Sequence, residues 1–461
     1  MIERHDLGAT TILFDPLTGR GRQGALPVSW AVPDVLAGVW CRNRCTLTVP
    51  EGLWAPDPTR SGPDGHPYRA VPLTDDERAV WAAVNDARTG ADLAARSGVL
   101  PAVVERLASR LTAFDVQALQ IRPQAARAGD PGLRRVLGVP RPPNLRTADQ
   151  HDARGATTLG HWHEASITDG PTHFDDRETT FAHAFGLPHP ALDGERYGAR
   201  LRRVLAERGW ATDGPVVEVG CGTGELASAW GPVDGRYLRI DLSPELLRVQ
   251  ALAAPFSEGL RGDLCALPLP DGSVPLLLCN EVLADLEAVP VGDPDAERLR
   301  EELGLPALSG GWYNTGSWRA VQEAARVLAP GGHAVFTEFG VVDGEVEEAT
   351  QLDHPEVGVH FGHLAVLAGR LGLTAEVVRL DDLVRPSRTE TWLARHSWRA
   401  VRSWASSRGV RLPARAWTPR TLRDALPAAV DGLDWVALTD EGPGPLVTRF
   451  WVLLLEARGA G

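Results

Sequence analysis

The chain contains no lysine, so all 47 of its basic residues are arginine. Chemistry that needs an amine side chain, such as a Schiff base or a lysine general base, is thereby excluded. Cysteine is scarce as well: Cys41, Cys45, Cys221, Cys265 and Cys279 are the only five in 461 residues, an odd number without the spacing of a disulfide framework. A reducing, cytoplasmic setting is expected. Cys41 and Cys45 stand one residue too far apart for a redox C-x-x-C and lack the second pair of a zinc site, so they read as structural and no metal is expected. No apolar run approaches the ~20 residues of a membrane helix, and the opening residues lack the pattern of a signal peptide, so no membrane partner is expected. Positive charge is also in deficit. A net charge of -13 opposes binding to a phosphate backbone, and nucleic acid is not an expected partner.

What is present is globular, with 43% hydrophobic and 23% charged residues. At ~150 residues per domain the length predicts two or three domains. Residues 1–123 read as an N-terminal domain, in which the spacing of Val80, Trp81, Val84 and Ala87 predicts a helix over Asp75–Ala87. Thr89, with Asp92 three residues on, is an N-cap for a second helix that Gly98 closes; Pro101 opens a third, carrying Val103, Val104, Leu107, Leu111 and Phe114 on one face. A strand over Val116–Ile121 follows. Within 73–121 this α+β order resembles a winged helix, and in particular the peptide-recognition winged helices appended to peptide-modifying enzymes. Residues 124–195 are rich in Pro, Arg and Gly and read as a linker. Its latter part gathers His161, His163, His173, His183 and His189, with Tyr197 just beyond, and is expected to cover an active site.

From about residue 196 to 461, apolar strands alternate with helical stretches, the pattern of a doubly wound α/β sheet. Candidate strands are Val216–Val219, Tyr237–Ile240, Leu276–Cys279, His333–Phe336, Ala375–Leu380 and Phe450–Leu455. The first runs into Gly220-Cys221-Gly222-Thr223-Gly224 after Glu218, where glycines let the backbone approach a ligand. Counted from Gly222 the loop also satisfies a dinucleotide pattern, so by itself it leaves that cofactor open. The second strand ends in Asp241, placed to accept ribose hydroxyls, followed by Leu242. Gly262-Asp263-Leu264 and Ala329-Pro330-Gly331-Gly332 come next, in order.

These four motifs resemble those of the class I, Rossmann-like S-adenosylmethionine-dependent methyltransferases. The resemblance implies a mostly parallel seven-stranded sheet in the order 3-2-1-4-5-7-6, with an insertion at about 385–445. It also implies S-adenosyl-L-methionine as cofactor, bound by Glu218, Gly220, Cys221, Gly222, Gly224, Asp241, Leu242, Asp263, Leu264 and Asn280. Ligands of open sheets bind beyond the carboxyl ends of the strands, which makes Glu281 and Asp285 after the fourth strand, and Glu338 after the fifth, candidates on the acceptor side. His360, in a histidine-rich segment reaching from His354 to His363, is a candidate general base. Each has a plainer reading as a helix cap, a solvated carboxylate or a packed ring. Trp392, Trp398, Trp404 and Trp417 of the insertion suit either an acceptor pocket or ordinary core.

The expected activity is methyl transfer to an oxygen or nitrogen of a peptide natural product or other specialised metabolite. A small-molecule methyltransferase that uses its winged helix to form a homodimer is the alternative. A DNA-binding, metabolite-sensing regulator is more distant, with Arg106 and Arg110 as its phosphate contacts.

Overall fold

The computed structural model describes residues 3–7, 10–15, 20–23, 26–29, 35–43, 45–57, 68–85, 87–112, 116, 118–122, 180–346, 348–351, 354–426, 428–437 and 450–459. Two compact units emerge. The first comprises residues 1–146, 393–412 and 419–435, and the second residues 147–392, 413–418 and 436–461. The stretch expected as an insertion therefore gives most of its length to the unit that holds the N-terminal residues.

In the first unit, β1 (Glu3–Leu7), β2 (Thr10–Asp15), β3 (Arg20–Gln23) and β4 (Leu26–Ser29) form an antiparallel meander. After β5 (Val39–Arg42), the strands β6 (Leu47–Val49), β7 (Gly52–Pro56) and β8 (Tyr68–Pro72) form a second antiparallel sheet. Helices α1 (Asp75–Ala83), α2 (Gly90–Ser97) and α3 (Pro101–Leu111) follow, and β9 (Leu119–Arg122) pairs antiparallel with β5. Thr74 and Glu77 form a capping box on α1, and Thr89 and Asp92 form another on α2. Gly98 ends α2 in the left-handed conformation, as its position in the sequence predicts. Helix α1 stops four residues short of the expected Ala87. Val84 turns extended there, so its side chain stays buried although the helix has ended. Trp40, Val80, Trp81, Leu93, Val104, Leu107 and Leu111 make one core.

The second unit is a mixed α/β layer structure whose sheet is mainly parallel. After α4 (Phe181–Ala184) and α5 (Tyr197–Glu207) come β10 (Val216–Val219), α6 (Glu225–Trp230), β11 (Tyr237–Asp241), α7 (Pro244–Ala253), β12 (Glu258–Arg261) and β13 (Val274–Asn280). Then follow α8 (Thr315–Val327), β14 (Leu328–Val341), β15 (Val359–His360), α9 (Phe361–Arg370), β16 (Leu373–Arg379) and β17 (Phe450–Ala457). The strands lie in the order β12-β11-β10-β13-β14-β17-β16, with β17 antiparallel to both neighbours. An eighth strand, β15, adds to the far end of β14, where Gly340 and Val341 pair with Val359 and His360. So short a strand has no pattern of its own in the sequence.

Alternation along the strands sorts their side chains into two cores. Val217, Val219, Leu277, Cys279 and Phe336 face one layer, whereas Val216, Leu276, Leu278 and Val335 face the other. Both faces are therefore covered, which explains why these strands read as continuous apolar runs.

Arg200 on α5 is a buried cation that donates to the carbonyls of Val384 (2.7 Å) and Arg385 (3.0 Å) and to Asp193 (2.7 Å). It pins α5 to the chain that leaves β16. Replacing Arg200 by alanine strands those two carbonyls, and is expected to destabilise the second unit by about 2–4 kcal/mol in chemical denaturation.

Candidate functional site

A cleft of about 1000 Å³ opens beyond the carboxyl ends of β10, β11 and β13. Strand order reverses between β10 and β13, and the crevice at such a switch point is where open sheets bind ligands. The loop after β10 is shaped by backbone that few residues adopt. Gly220, Gly222 and Gly224 have φ of 69°, 50° and 82°. A Cβ on Gly220 would lie 2.3 Å from Cγ2 of Val282, so the loop after β10 can meet the loop after β13 only through a glycine.

The expected donor residues converge here. Glu218, Gly220, Cys221, Gly222, Asp241, Leu242, Asp263, Leu264 and Asn280 all line the cleft; Gly224 does not, and instead starts α6 against Gln250 and Ala253. Asp241 is buried, accepting from the Ser243 amide at 3.0 Å and from Gln250 Nε2 at 2.8 Å. Gln250 also donates to the Gly222 carbonyl at 3.0 Å, locking the glycine loop to the end of β11. Asp263 accepts from the Cys265 amide at 2.8 Å, which fixes its own turn. Burial pushes the Cys221 thiol well up, so it is a packed neutral group rather than a nucleophile.

Glu218 lies buried at the floor, accepting from the Tyr237 hydroxyl at 2.7 Å. Burial pushes its carboxyl up to about 7, with Tyr237 and Arg239 opposing the rise.

The acceptor-side candidates separate. Glu281 and Asp285 line the cleft, whereas Glu338 and His360 do not. Glu338 is buried, and its oxygens accept from the amides of Ala284 (3.1 Å) and Phe339 (3.0 Å), so it staples the loop after β13 to β14. His360 caps α9, its Nδ1 accepting from the His363 amide at 3.0 Å while the two rings stack at 4.1 Å. Burial lowers its pKa. Glu338, expected after the fifth strand, lies inside β14, which runs on to Val341, and His360 ends β15; the polar atoms of both are directed at backbone.

Of the expected cover, His161, His163 and His173 lie outside the described residues. His183, His189 and Tyr197 are buried within the second unit and do not line the cleft. The tryptophans are not its lining either: Trp392, Trp404 and Trp417 are buried, and Trp398 is half-buried with Arg402 over its ring. Among the lining residues that sequence reasoning misses are Thr180, Ala182 and Glu225. Glu225 is held by Arg196 at 3.0 Å and Arg415 at 2.8 Å, and Arg415 also donates to the His183 carbonyl at 2.8 Å. Arginines so far away in sequence give no local signal.

Among the described residues that line the cleft are the carboxylates Glu218, Glu225, Asp241, Asp263, Glu281 and Asp285, with no arginine or histidine beside them. This decides between the two cofactors that the glycine loop leaves open. A dinucleotide would set its pyrophosphate among carboxylates, whereas S-adenosylmethionine brings a sulfonium and an ammonium against one carboxylate, a net positive charge that this lining favours. Among the described residues, no cluster of side chains suits a metal ion.

Residues 217–302 match the model of a methyltransferase domain family. No curated protein matches the chain. Similar solved structures include a Burkholderia thailandensis protein bound to S-adenosyl-homocysteine, with 15% identity over 68% of this chain and 91% of that one and a TM-score of 0.40. A TehB-like SAM-dependent methyltransferase from Corynebacterium glutamicum shares 15% identity over 58% of this chain and 92% of its own, at a TM-score of 0.27. A SAM-dependent methyltransferase from Methanosarcina mazei shares 14% over 56% and 98%, at 0.28. The donor assignment rests on the matched domain and the chemistry of the cleft rather than on these superpositions.

The raised pKa of Glu218 has two consequences. Between its ordinary 4.5 and about 7 the folded chain holds the proton more tightly than the unfolded chain, so stability from this group is complete below 4.5 and is lost as pH rises through 7. Ionised Glu218 also attracts a cationic ligand, so affinity for S-adenosylmethionine is expected to rise from pH 6 to 8. Calorimetric titration across that range checks it, with the rise flattened in Glu218→Gln.

Proposed function

We propose that this chain, an S-adenosylmethionine-dependent methyltransferase, methylates an oxygen or nitrogen atom of a specialised metabolite, a peptide natural product in the first instance. The observation that carries the reading is the switch-point cleft, lined by the glycine loop Gly220–Gly222 together with Glu281 and Asp285. Asp241 would hold the ribose, Asp263 with Leu264 the adenine, and the Gly220–Gly222 backbone the amino-acid end. When bound, the donor supplies an electrophilic methyl carbon, to which the acceptor's lone pair bonds while the carbon–sulfur pair goes to sulfur.

The protein's task is alignment and exclusion of water, because in-line displacement gains most from orientation. We assign Glu281 and Asp285, which line the cleft, to the acceptor, because their carboxylates suit either removal of a hydroxyl proton or attraction of an amine.

The peptide preference comes from the resemblance of residues 73–121 to a peptide-recognition winged helix; there α1, α2 and α3, the first two opened by capping boxes, precede the strand β9. Against a DNA-binding role, Arg110 already has partners in the first unit: it is paired with Glu77 and donates to the Pro72 carbonyl at 2.7 Å. Among the described residues, no helix is long and apolar enough to cross a membrane.

Incubation of the chain with methyl-labelled donor and fractionated peptides and metabolites tests the reading. Label is expected on oxygen or nitrogen of a peptide, with the mass raised by one methylene. Label confined to a non-peptide metabolite would remove the peptide assignment, and label confined to nucleic acid would overturn the proposal.

A further inference from the structure

Glu281 has a backbone φ of 58°, in the left-handed region that non-glycine residues seldom occupy. A conformation costing on the order of 1 kcal/mol persists only where its surroundings enforce it. Here the enforcement comes from several directions. The Glu281 amide donates to the Thr337 carbonyl at 2.8 Å, carrying the ladder from β13 to β14 one step past the strand. Its Oε1 accepts from the Phe181 amide at 2.6 Å and from Asn280 Nδ2 at 2.9 Å.

Both donors are in turn fixed by one residue. The Tyr197 hydroxyl donates to Asn280 Oδ1 at 2.9 Å, holding the amide oxygen inward and so turning its nitrogen toward Glu281. The Tyr197 ring meets Phe181 edge-on, with centroids 4.7 Å apart. Tyr197 is completely buried, and burial followed by the charge of Glu281 pushes its hydroxyl pKa well up, so it remains a neutral donor. It lies on α5, outside all four motifs, and does not touch the cleft.

We infer that Tyr197 is a positioning residue for methyl transfer: acting through Asn280, it holds the Glu281 carboxylate toward the point where the transferring methyl's positive charge resides. The inference rests on the reading of the cleft as the donor site. Asn280 and Glu281 line that cleft at the strand-order reversal, as do Gly220 and Gly222. A network serving stability alone has no need to end on a cleft carboxylate held in a strained backbone.

The test needs no acceptor. Sinefungin carries an ammonium-bearing carbon in place of the methylsulfonium, whereas S-adenosyl-homocysteine carries a neutral sulfur there, so their affinity ratio reads the charge at the transfer point. Calorimetry on the full chain is expected to show about tenfold preference for sinefungin. Glu281→Gln should bring the ratio to near one. Tyr197→Phe, which keeps the ring against Phe181, should cut it to about threefold while S-adenosyl-homocysteine still binds. Should Tyr197→Phe fail to fold, Asn280→Ser breaks the same link and is expected to lower the ratio equally. An undiminished tenfold preference in Tyr197→Phe or Asn280→Ser overturns the positioning role, and one in Glu281→Gln overturns the role of its carboxylate. If the unmodified chain binds neither compound, the donor reading itself has failed, and that result is distinct from all of these.

Discussion

The close approach of Gly220 to Val282 is the constraint on which the catalytic unit depends. Two loops leaving neighbouring strands must meet at the reversal of strand order, and the gap between them admits no Cβ. That contact brings the glycine-rich backbone and the Asn280–Glu281 turn into the lining of one cleft. Around it, Gln250 ties the glycine loop to Asp241, and Glu338 ties the Val282–Asp285 loop to β14. The loops that form the site are thus held by side chains from the adjoining secondary structure, so the cleft is organised by the sheet itself.

Charge completes what geometry begins. Among the described residues the walls carry carboxylates, and arginines that do not line the cleft answer one of them: Arg196 and Arg415 pair with Glu225. A cationic donor is welcome in such a place. Glu218 is the most constrained member, since full burial beside the Tyr237 hydroxyl leaves its charge state balanced near neutrality. A carboxylate poised in this way responds to the charge of whatever binds above it.

Much of this was legible in the sequence, for reasons specific to each element. Strands such as Val216–Val219 and Leu276–Cys279 announced themselves because both of their faces are buried, and Thr89, Gly98 and Pro101 because caps are local chemistry. The donor residues lie within or just after strands, and they could be read from short motifs. What could not be read depends on distant partners. Glu338 has the right residue type just after the expected strand His333–Phe336, yet its carboxylate accepts from the Ala284 amide, 54 residues away, which only the fold brings near. Tyr197 is the converse case, since its hydroxyl meets Asn280 from 83 residues away and leaves no local trace. The short strand Val359–His360 was invisible because two residues carry no periodicity.

The central claim is that the cleft is built for S-adenosylmethionine. Calorimetric titration of the unmodified chain with S-adenosylmethionine, S-adenosyl-homocysteine and NAD, side by side at one pH, tests it most directly. The structure predicts one site per chain for each of the first two compounds and none for the dinucleotide. Binding of NAD, or no binding of either sulfur compound, would contradict it.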